Sequence, residues 1–509
     1  MFSKILIANR GEIAVRVIRA CREMGVATAA VHSEADRSSL HVQLADESVL
    51  IGPAPAAESY LNMSRIIRAA RDTGAEAIHP GYGFLSENAD FARLCENEGL
   101  VFIGPRSEAL ALVGDKVRAR RMMEKAGIPI IPGMKAVSKD PAEFEIAARA
   151  IGYPVIVKAS AGGGGKGMRI VHEEKDLRPA FEAGMREAKS AFGDESVYLE
   201  KYIQEPRHVE FQVLADNAGA MVHLFERECS IQRRHQKIVE ETPSPALDPD
   251  LRARMAETAV KAMKAANYNN AGTVEFLLDQ DRNFYFLEVN ARLQVEHPVT
   301  EMATGVDLVR RQILIAAGER LDLRQEDLRQ KGHALECRIY AEDPENNFLP
   351  SPGRILFLKE PQGPGVRLDG GIYGGWEVPI YYDPILAKLI VWAEDRETAC
   401  RRMAAALDDF VVLGIHTTIG FLKAIVRHPE FRSGRTNTSF IKNLFEGWKE
   451  GGKSEEALRL ALAAAAFDDV AAAEGRPGAD SAREANRDAA APWKSLGRWR
   501  IGEGGSHGI

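Results

Sequence analysis

Between Glu288 and Glu296 the chain alternates with a period of two. Glu288, Asn290, Arg292, Gln294 and Glu296 carry polar groups, while Val289, Ala291, Leu293 and Val295 between them are apolar. In an extended chain that period sends one set to one face and the other into a core. A solvated edge strand also alternates, but it seldom presents a carboxylate, an amide, a guanidinium, an amide and a carboxylate in succession. Kept straight, the segment would hold Glu288 and Glu296 about 26 Å apart at roughly 3.3 Å per residue, too far for one small-molecule site. The pattern predicts a strand to about Asn290 and a bend after it.

Just upstream, Gly272–Leu278 and Phe284–Val289 have the composition of strands, with Asp279–Asn283 as the turn between them. With Asp281 and Arg282 as a two-residue loop, Gln280 pairs with Asn283 and Glu275 falls opposite Glu288. Like charges directly opposite one another destabilise a sheet, so facing carboxylates point to a bridging divalent cation. An all-oxygen set favours magnesium or manganese. A register one residue different would put the glutamates on opposite faces.

From the N-terminus, Lys4–Ala8 is a short apolar run of the buried parallel type, followed by a loop and an amphipathic helix to about Met24 that Gly25 stops. Strand Ala27–Val31 completes a βαβ unit, and further units follow through Val101–Pro105. This is half of a Rossmann arrangement without a G-x-G-x-x-G turn, which leaves no reason to expect a dinucleotide. His79–Glu87, a Gly/Pro-rich turn after the strand Ala75–Ile78, sits where α/β sheets carry ligands. Lys116 opens a helix ending near Gly127. Strand Val155–Lys158 leads into Ala159-Ser-Ala-Gly-Gly-Gly-Gly-Lys-Gly167, whose glycines allow backbone N–H groups close to phosphate and predict a mobile flap. Gly167 stands where a Walker A loop needs Ser or Thr. Lys158 beside the flap favours a nucleotide triphosphate over a plain linker.

Charge sharpens the picture only locally. The 509 residues are 45% hydrophobic and 27% charged with net charge −7, as in an ordinary soluble protein, which argues against a nucleic-acid surface. Arg233, Arg234, His235 and Lys237 therefore stand out as a basic cluster. Cys21, Cys95, Cys229, Cys337 and Cys400 show no metal spacing, and reduced thiols in the cytoplasm are expected. No run is apolar and long enough to span a membrane, and the N-terminus enters a strand instead of a signal peptide. Ala262-Met-Lys264 is similar to part of a biotinylation motif but lies in a predicted helix and lacks the second methionine. After about Lys453 an Ala-rich helix gives way to a segment poor in large apolar residues, a predicted disordered linker ending in a Trp493/Trp499 cluster with Lys494, Arg498 and Arg500.

The run Glu288-Val-Asn-Ala-Arg-Leu-Gln-Val-Glu-His-Pro-Val-Thr-Glu301 closely resembles the signature of biotin carboxylases, within the ATP-grasp superfamily. The resemblance extends in order from Lys4-Ile-Leu-Ile-Ala-Asn-Arg-Gly-Glu12 to about Asn443. It implies an α/β and α+β architecture: a Rossmann-like N-terminal domain over 1–114, an ATP-grasp domain over 115–331 with a mobile glycine-rich lid at about 131–203, a biotin carboxylase C-terminal domain over 332–446, and a linker and tail over 447–509.

It also implies roles. Glu275, Glu288 and Asn290 would hold two magnesium (or manganese) ions against ATP. Lys116, Lys158, Gly164, Gly165, the adenine hinge Glu200, Lys201, Tyr202 and Ile203, His208, Gln232 and His235 would hold the nucleotide. Lys237, Arg292, Gln294 and the Val295 backbone would orient bicarbonate, with Arg233 and Arg234 in the same basic lining and Tyr82 on the border of the site. Glu296 would be the general base for forming carboxyphosphate, and Arg338 would stabilise the biotin enolate. The substrate would be biotin on a biotin carboxyl carrier protein, with a carboxyltransferase subunit as further partner and a homodimer or larger assembly as the working form. Because the sequence stops where multifunctional relatives continue, carrier and transferase are expected on separate chains. The rival readings are another ATP-grasp carboxylate or carbamate ligase, opposed by Arg338 and the Gln294–Glu296 run, and a non-catalytic assembly subunit, opposed by the intact set of candidate side chains.

Overall fold

The apolar run Ile5-Leu6-Ile7, fully shielded from solvent, forms the middle of a five-stranded parallel sheet. Its strands are β1 (Lys4–Ile7), β2 (Ala27–Ser33), β3 (Glu47–Gly52), β4 (Ala77–His79) and β5 (Val101–Phe102), in the order β3-β2-β1-β4-β5. Helix Gly11–Glu23 buries Ile13, Ala14, Val17, Ile18 and Cys21 in the same core as Ile5 and Ile7. This is a computed structural model that describes residues 1–134, 137–159, 168–192, 195–234, 236–451 and 459–467, without the side chains of Lys116, Val117, Ala191 and Phe192. Gly164, Gly165, the rest of the glycine-rich stretch, His235 and the Trp493–Arg500 cluster lie outside the described residues. The chain divides into units Met1–Trp448 and Lys449–Ile509; in the second, 459–467 is an exposed helix.

A small antiparallel sheet comes next: β6 (Val155–Ala159), β7 (Arg169–Val171) and β8 (Val197–Lys201), with β6 in the middle. Helices Pro141–Ile151 and Leu177–Phe192 contribute Phe144 and Phe181 to a core of its own with Val155, Val157 and Leu199.

The largest element is an eight-stranded sheet, antiparallel throughout, in the order β13-β12-β9-β10-β11-β14-β21-β19. Its strands are β9 (Arg207–Ala215), β10 (Met221–Arg233), β11 (Gln236–Thr242), β12 (Asn270–Leu278), β13 (Phe284–Asn290), β14 (His333–Tyr340), β19 (Val366–Gly370) and β21 (Ile385–Ala393). Short ribbons pair β15 (Glu342–Asp343) with β16 (Leu349–Pro350), β17 (Gly353–Arg354) with β20 (Glu377–Val378), and β18 (Phe357–Lys359) with β22 (Val411–Leu413). The sheet runs through residue 331 without a break, because β11 pairs directly with β14.

Period-two alternation divides this sheet into a dry face and a polar face. Val209, Phe211 and Val213 of β9, with Val274 and Phe276 of β12, pack against Leu251, Met255, Ala259 and Met263 of helix Pro249–Ala265. His208, Glu210 and Gln212 point the other way. Farther along, Leu335, Cys337 and Ile339 of β14 enter a second core with Met403, Leu407 and Phe421, which leaves Glu336 and Arg338 on the polar side.

The hairpin carrying Glu275 and Glu288 departs from expectation in one respect. The two glutamates are ladder partners as predicted, yet the loop is not two residues long. Asp279 N–H donates to the Asn283 carbonyl at 2.9 Å, leaving Gln280, Asp281 and Arg282 as the loop, with Arg282 left-handed at φ +66°. That loop pairs Leu278 with Phe284 and Phe276 with Phe286, and a bulge beside Glu275 then restores its match to Glu288. Phe284, Phe286 and Glu288 share one parity in the sequence, but the phenylalanines belong in the core and the glutamate does not. The bulge at Leu287 reconciles them.

Two glycines mark close approaches. Gly81, at φ +62°, lies against the Asn9 side chain, whose Nδ2 donates to the Pro80 and Tyr82 carbonyls and pins the 79–87 turn. Gly371 abuts the start of helix Gly11–Glu23, where an added Cβ would meet the Glu12 nitrogen at 2.6 Å and the Gly11 carbonyl carbon at 2.8 Å. Backbone cannot swing aside. Gly371→Ala should therefore cost about 1–3 kcal/mol in a urea titration, while Gly374→Ala, with nothing within 4 Å of its Cβ, should stay within about 0.5 kcal/mol of wild type. Equal midpoints would show that the helix start yields.

Candidate active site

Lys237 enters the polar face from β11 and meets three buried carboxylates. Its Nζ lies 2.5 Å from Glu210 of β9, 2.7 Å from Glu275 of β12 and 2.7 Å from Glu296. Three strands and the bend after β13 thus converge on one ammonium. Burial lowers its proton affinity, but the three carboxylates outweigh that and hold its pKa well above the ordinary lysine value. Arg227, buried completely, completes the arrangement by donating to Glu210 at 2.6 Å and to Gln212, Thr273 and Thr300.

The bend after Asn290 folds the alternating residues onto the same spot. Asn290 Nδ2 donates to Glu275 Oε1 at 2.7 Å, and Gln294 Nε2 reaches the same oxygen at 3.3 Å. Arg292 donates to Gln294 Oε1 at 2.9 Å, to Asn290 Oδ1 at 3.1 Å and to Glu87 at 3.0 Å. Glu296 ends the bend at the N-cap of helix His297–Thr304. Its Oε1 accepts from Lys237 and its Oε2 from Arg338 at 2.9 Å. Burial pushes the Glu296 carboxyl up, but Lys237, Arg338 and Arg227 together hold it well below the carboxylate range. Arg338 itself forks between Glu296 and Glu240, its Nε 2.6 Å from Glu240 Oε1.

At the other edge, His208 Nε2 stands 2.9 Å from Glu275 Oε2, and His208 Nδ1 is 2.6 Å from the Gln232 amide. Lys158 of β6 pairs with Glu200 of β8 at 2.8 Å, and Arg120 of helix Lys116–Lys125 contacts the other Glu200 oxygen. The Lys201 side chain turns away, donating to the Gly152 and Tyr153 carbonyls at 2.9 Å each. The backbone N–H groups of Lys201 and Tyr202 donate to Pro132 and Pro154, which ties the 200–203 stretch to the chain on either side of the small sheet.

The basic cluster needs correcting. The chain turns over at Arg234 (φ +51°), so only Lys237 among its described members reaches the carboxylates. Arg233 pairs with Glu342 at 2.8 Å and stacks 4.0 Å above the Phe348 ring, and Arg234 donates to Asn347. A hairpin tip sends neighbouring side chains apart.

Several members had no clear mark in the sequence. Glu210 could have been found, since His208-x-Glu210-x-Gln212 repeats the alternation seen after Glu288. Glu87 closes the turn already singled out after Ala75–Ile78, but its pairing with Arg292 could not be read from the sequence, and neither could the place of Lys388. Fully buried Lys388 of β21 donates to the Val295 carbonyl at 3.1 Å, lies 3.1 Å from Glu12, and sits 5.7 Å from the Tyr82 ring. Its partners lie far away along the chain.

The donor set fits a hard divalent cation. Burial raises the Glu275 carboxyl, but Lys237 and His208 outweigh it and keep it ionised, and half-buried Glu288 is its partner across the ladder with Asn290 alongside. Carboxylate and amide oxygens are the ligands magnesium prefers. Nearby His208, Glu210 and Glu275, and separately Glu210, Cys229 and Glu296, also bring ligand atoms within 4.8 Å of one another.

Three family models match in succession: biotin carboxylase, N-terminal domain, over residues 1–110; carbamoyl-phosphate synthase L chain, ATP binding domain, over 115–324; and biotin carboxylase C-terminal domain over 336–443. The chain is 56% identical over 443 residues to a biotin carboxylase of Nostoc sp., covering 87% of this chain and 99% of that one. It is 49% identical over 502 residues to the mitochondrial methylcrotonoyl-CoA carboxylase subunit alpha of Dictyostelium discoideum, covering 98% of this chain and 70% of that one. Among solved structures, the biotin carboxylase domain dimer of Hydrogenobacter thermophilus 2-oxoglutarate carboxylase, in complex with MgADP, ADP and bicarbonate, superposes with a TM-score of 0.85 at 49% identity, covering 89% of this chain and all of that one.

The ionic cluster has a pH signature. Glu275, held below its usual range, contributes stability that is present above an unfolded pKa of about 4.3 and lost as pH falls through the lowered folded value. Lys237→Met should cost about 3–5 kcal/mol near pH 7, because it removes the one cation shared by three buried carboxylates. Their pKa values then rise, so the deficit should narrow as the pH is lowered and they protonate. Urea midpoints of both proteins across this range test it; a deficit independent of pH would assign Lys237 a packing role.

Proposed function

The chain belongs to the biotin carboxylase family and is an ATP-dependent ligase that carboxylates biotin with bicarbonate; we propose that the Lys237–Glu296–Arg338 cluster is where it does so. The observation that carries this reading is Glu296, a buried carboxylate with one oxygen on Lys237 and the other on Arg338. A base placed between two cations can receive an anionic substrate and take its proton.

Bicarbonate would engage the Lys237 ammonium and the Arg292 guanidinium, with Gln294 and the Val295 N–H beside it. Lys388 donates to the Val295 carbonyl, in the next peptide along. Glu296, bonded to both cations, is ionised but weakly basic. Each donor that turns to the substrate anion withdraws stabilisation from the carboxylate and raises its proton affinity, so the base strengthens when bicarbonate is present. An oxygen of the deprotonated bicarbonate attacks the terminal phosphorus of ATP, giving carboxyphosphate and ADP. Carboxyphosphate breaks to carbon dioxide and phosphate, the phosphate takes the biotin ureido proton, and the deprotonated ureido nitrogen attacks the carbon dioxide to give carboxybiotin. Arg338, at the end of the fork, stabilises the enolate oxygen. Tyr82, whose buried hydroxyl has no hydrogen-bond partner among the described residues, borders this side.

For the nucleotide we assign Lys116, Lys158, Gly164, Gly165, Glu200 to Ile203, His208, Gln232 and His235, and for magnesium Glu275, Glu288 and Asn290. Magnesium, when bound, neutralises phosphate charge during transfer. The division at 114, 331 and 446, with a lid at about 131–203, is retained as a functional one.

The biotin is proposed to arrive on a carrier protein and to leave for a separate carboxyltransferase subunit, with a homodimer or larger assembly as the working form. Among the described residues no helix is long and apolar enough to cross a membrane. Five buried, unpaired cysteines support a cytoplasmic setting. The relatives' names run from methylcrotonoyl-CoA to 2-oxoglutarate, in keeping with an acceptor chosen outside this chain.

Bicarbonate-dependent ATP cleavage stimulated by free biotin tests the whole reading; cleavage indifferent to both would end it. Glu288→Gln should abolish most cleavage and leave the fold intact, and a near wild-type rate with unchanged magnesium dependence would remove the metal assignment. Two further variants separate the steps. Glu296→Ala should stop phosphate release and carboxybiotin formation together. Arg338→Gln should retain part of the bicarbonate-dependent phosphate release while carboxybiotin formation falls about a hundredfold, the effect of roughly 3 kcal/mol from one oxyanion donor. Equal loss of both products in Arg338→Gln would take the enolate role away from it.

A further inference from the structure

Two carboxylates with no part in these steps face each other next to Arg338. Glu240 and Glu336 are ladder partners on β11 and β14, and both are fully shielded from solvent. Like charges so placed repel. Glu240 Oε1 accepts from Arg338 Nε, but among the described residues Glu240 Oε2 and both oxygens of Glu336 have no hydrogen-bond partner. Three orphaned acceptors out of four oxygens call for a donor, and a carboxyl group becomes one only when protonated.

Among the described residues no second cation bonds to this pair. Arg338 comes from the same strand as Glu336 and is shared with Glu296 of the bend. Lys388 of β21 pairs with Glu12 of helix Gly11–Glu23 and lies 4.0 Å from Asp369 of β19. Lys237 of β11 answers Glu210, Glu275 and Glu296. Helix His297–Thr304, packed on β11, β14 and β21, adds His297, which burial and the neighbouring cations keep neutral, and Glu301, which is paired with Arg16 and Arg367. Burial and the charge of Glu240 hold the Glu336 carboxyl well above its usual range, and burial pushes Glu240 to about 7.

We propose that Glu240 and Glu336 share one proton, and that Glu336 is thereby a positioning residue for Arg338. With the proton in place, one negative charge from the pair faces the guanidinium, which stays in its fork with Glu296 and retains charge to offer a substrate oxyanion. Without it, two negative charges draw the guanidinium toward β11 and β14. The idea rests on the enolate role proposed for Arg338.

The test compares two pH profiles of the full chain with free biotin. Carboxybiotin formation should fall along an alkaline limb that bicarbonate-dependent ATP cleavage without biotin lacks. Glu336→Gln, a permanent donor of nearly the same shape, should keep that ATP cleavage with its wild-type profile and move the carboxybiotin limb upward by more than one pH unit, about tenfold in rate beyond the wild-type limb. Equal loss of both activities with unmoved profiles would make Glu336 merely structural and overturn the proposal. Infrared spectra of the wild type provide a readout independent of turnover and of the variant's folding. A carbonyl stretch from a buried carboxylic acid should disappear over the same pH range as the limb; if no such band titrates there, there is no shared proton. Failure of the enolate assignment would look different, with the band and its titration intact while Arg338→Gln forms carboxybiotin at the wild-type rate.

Discussion

One buried ammonium holds the polar face of the large sheet together. Without Lys237, Glu210, Glu275 and Glu296 would sit within a few ångströms of one another in a region that excludes water. Taking each of those charges out of water costs several kcal/mol even after relaxation, and only well-placed opposite charges offset it. Arg227 beneath and Arg338 beside complete the compensation. The resulting lattice of charges fixes the side chains before any substrate arrives, so on the function proposed above bicarbonate would bind by an exchange of ionic partners. Such an exchange would couple recognition to reactivity, because Lys237 and Arg338 are the donors that hold the Glu296 carboxyl low.

The lattice can exist because of where the strands run. β9, β11 and β12 bring Glu210, Lys237 and Glu275 to one face, and the bend after β13 adds Glu296. β14 then brings Arg338 alongside without interrupting the sheet. Lys237, assigned to bicarbonate, and Arg338, assigned to biotin, are thereby carried on neighbouring strands of one ladder, a geometry that favours precise placement over adaptability. The Lys158–Glu200 pair, by contrast, belongs to a small sheet with its own core.

Local periodicity made much of this legible. The apolar run at Ile5 marked the parallel sheet, and the alternation after Glu288 marked both a polar face and the need for a bend. The Glu275–Glu288 pairing was reached through a loop one residue too short, and it survived only because Leu287 bulges. Such a bulge follows from competition between two faces, which a count across the turn does not contain. Arg233 and Arg234 misled for the opposite reason: a cluster in sequence was split by a hairpin tip. The pairings of Lys388 with Glu12 and of Glu87 with Arg292 carry no local pattern, since each joins partners brought together by tertiary structure.

The unbroken ladder between β11 and β14 also bears on how such proteins can be reshuffled. A chain whose parts meet through loops can exchange them by recombination at the junction. Here a crossover near residue 331 would join two strands that must agree residue by residue, from Val239 opposite Cys337 to Thr242 opposite Ala334. It would also have to match the charges of Glu240, Glu296 and Arg338. Inheritance of the two halves is thus linked by hydrogen-bond register.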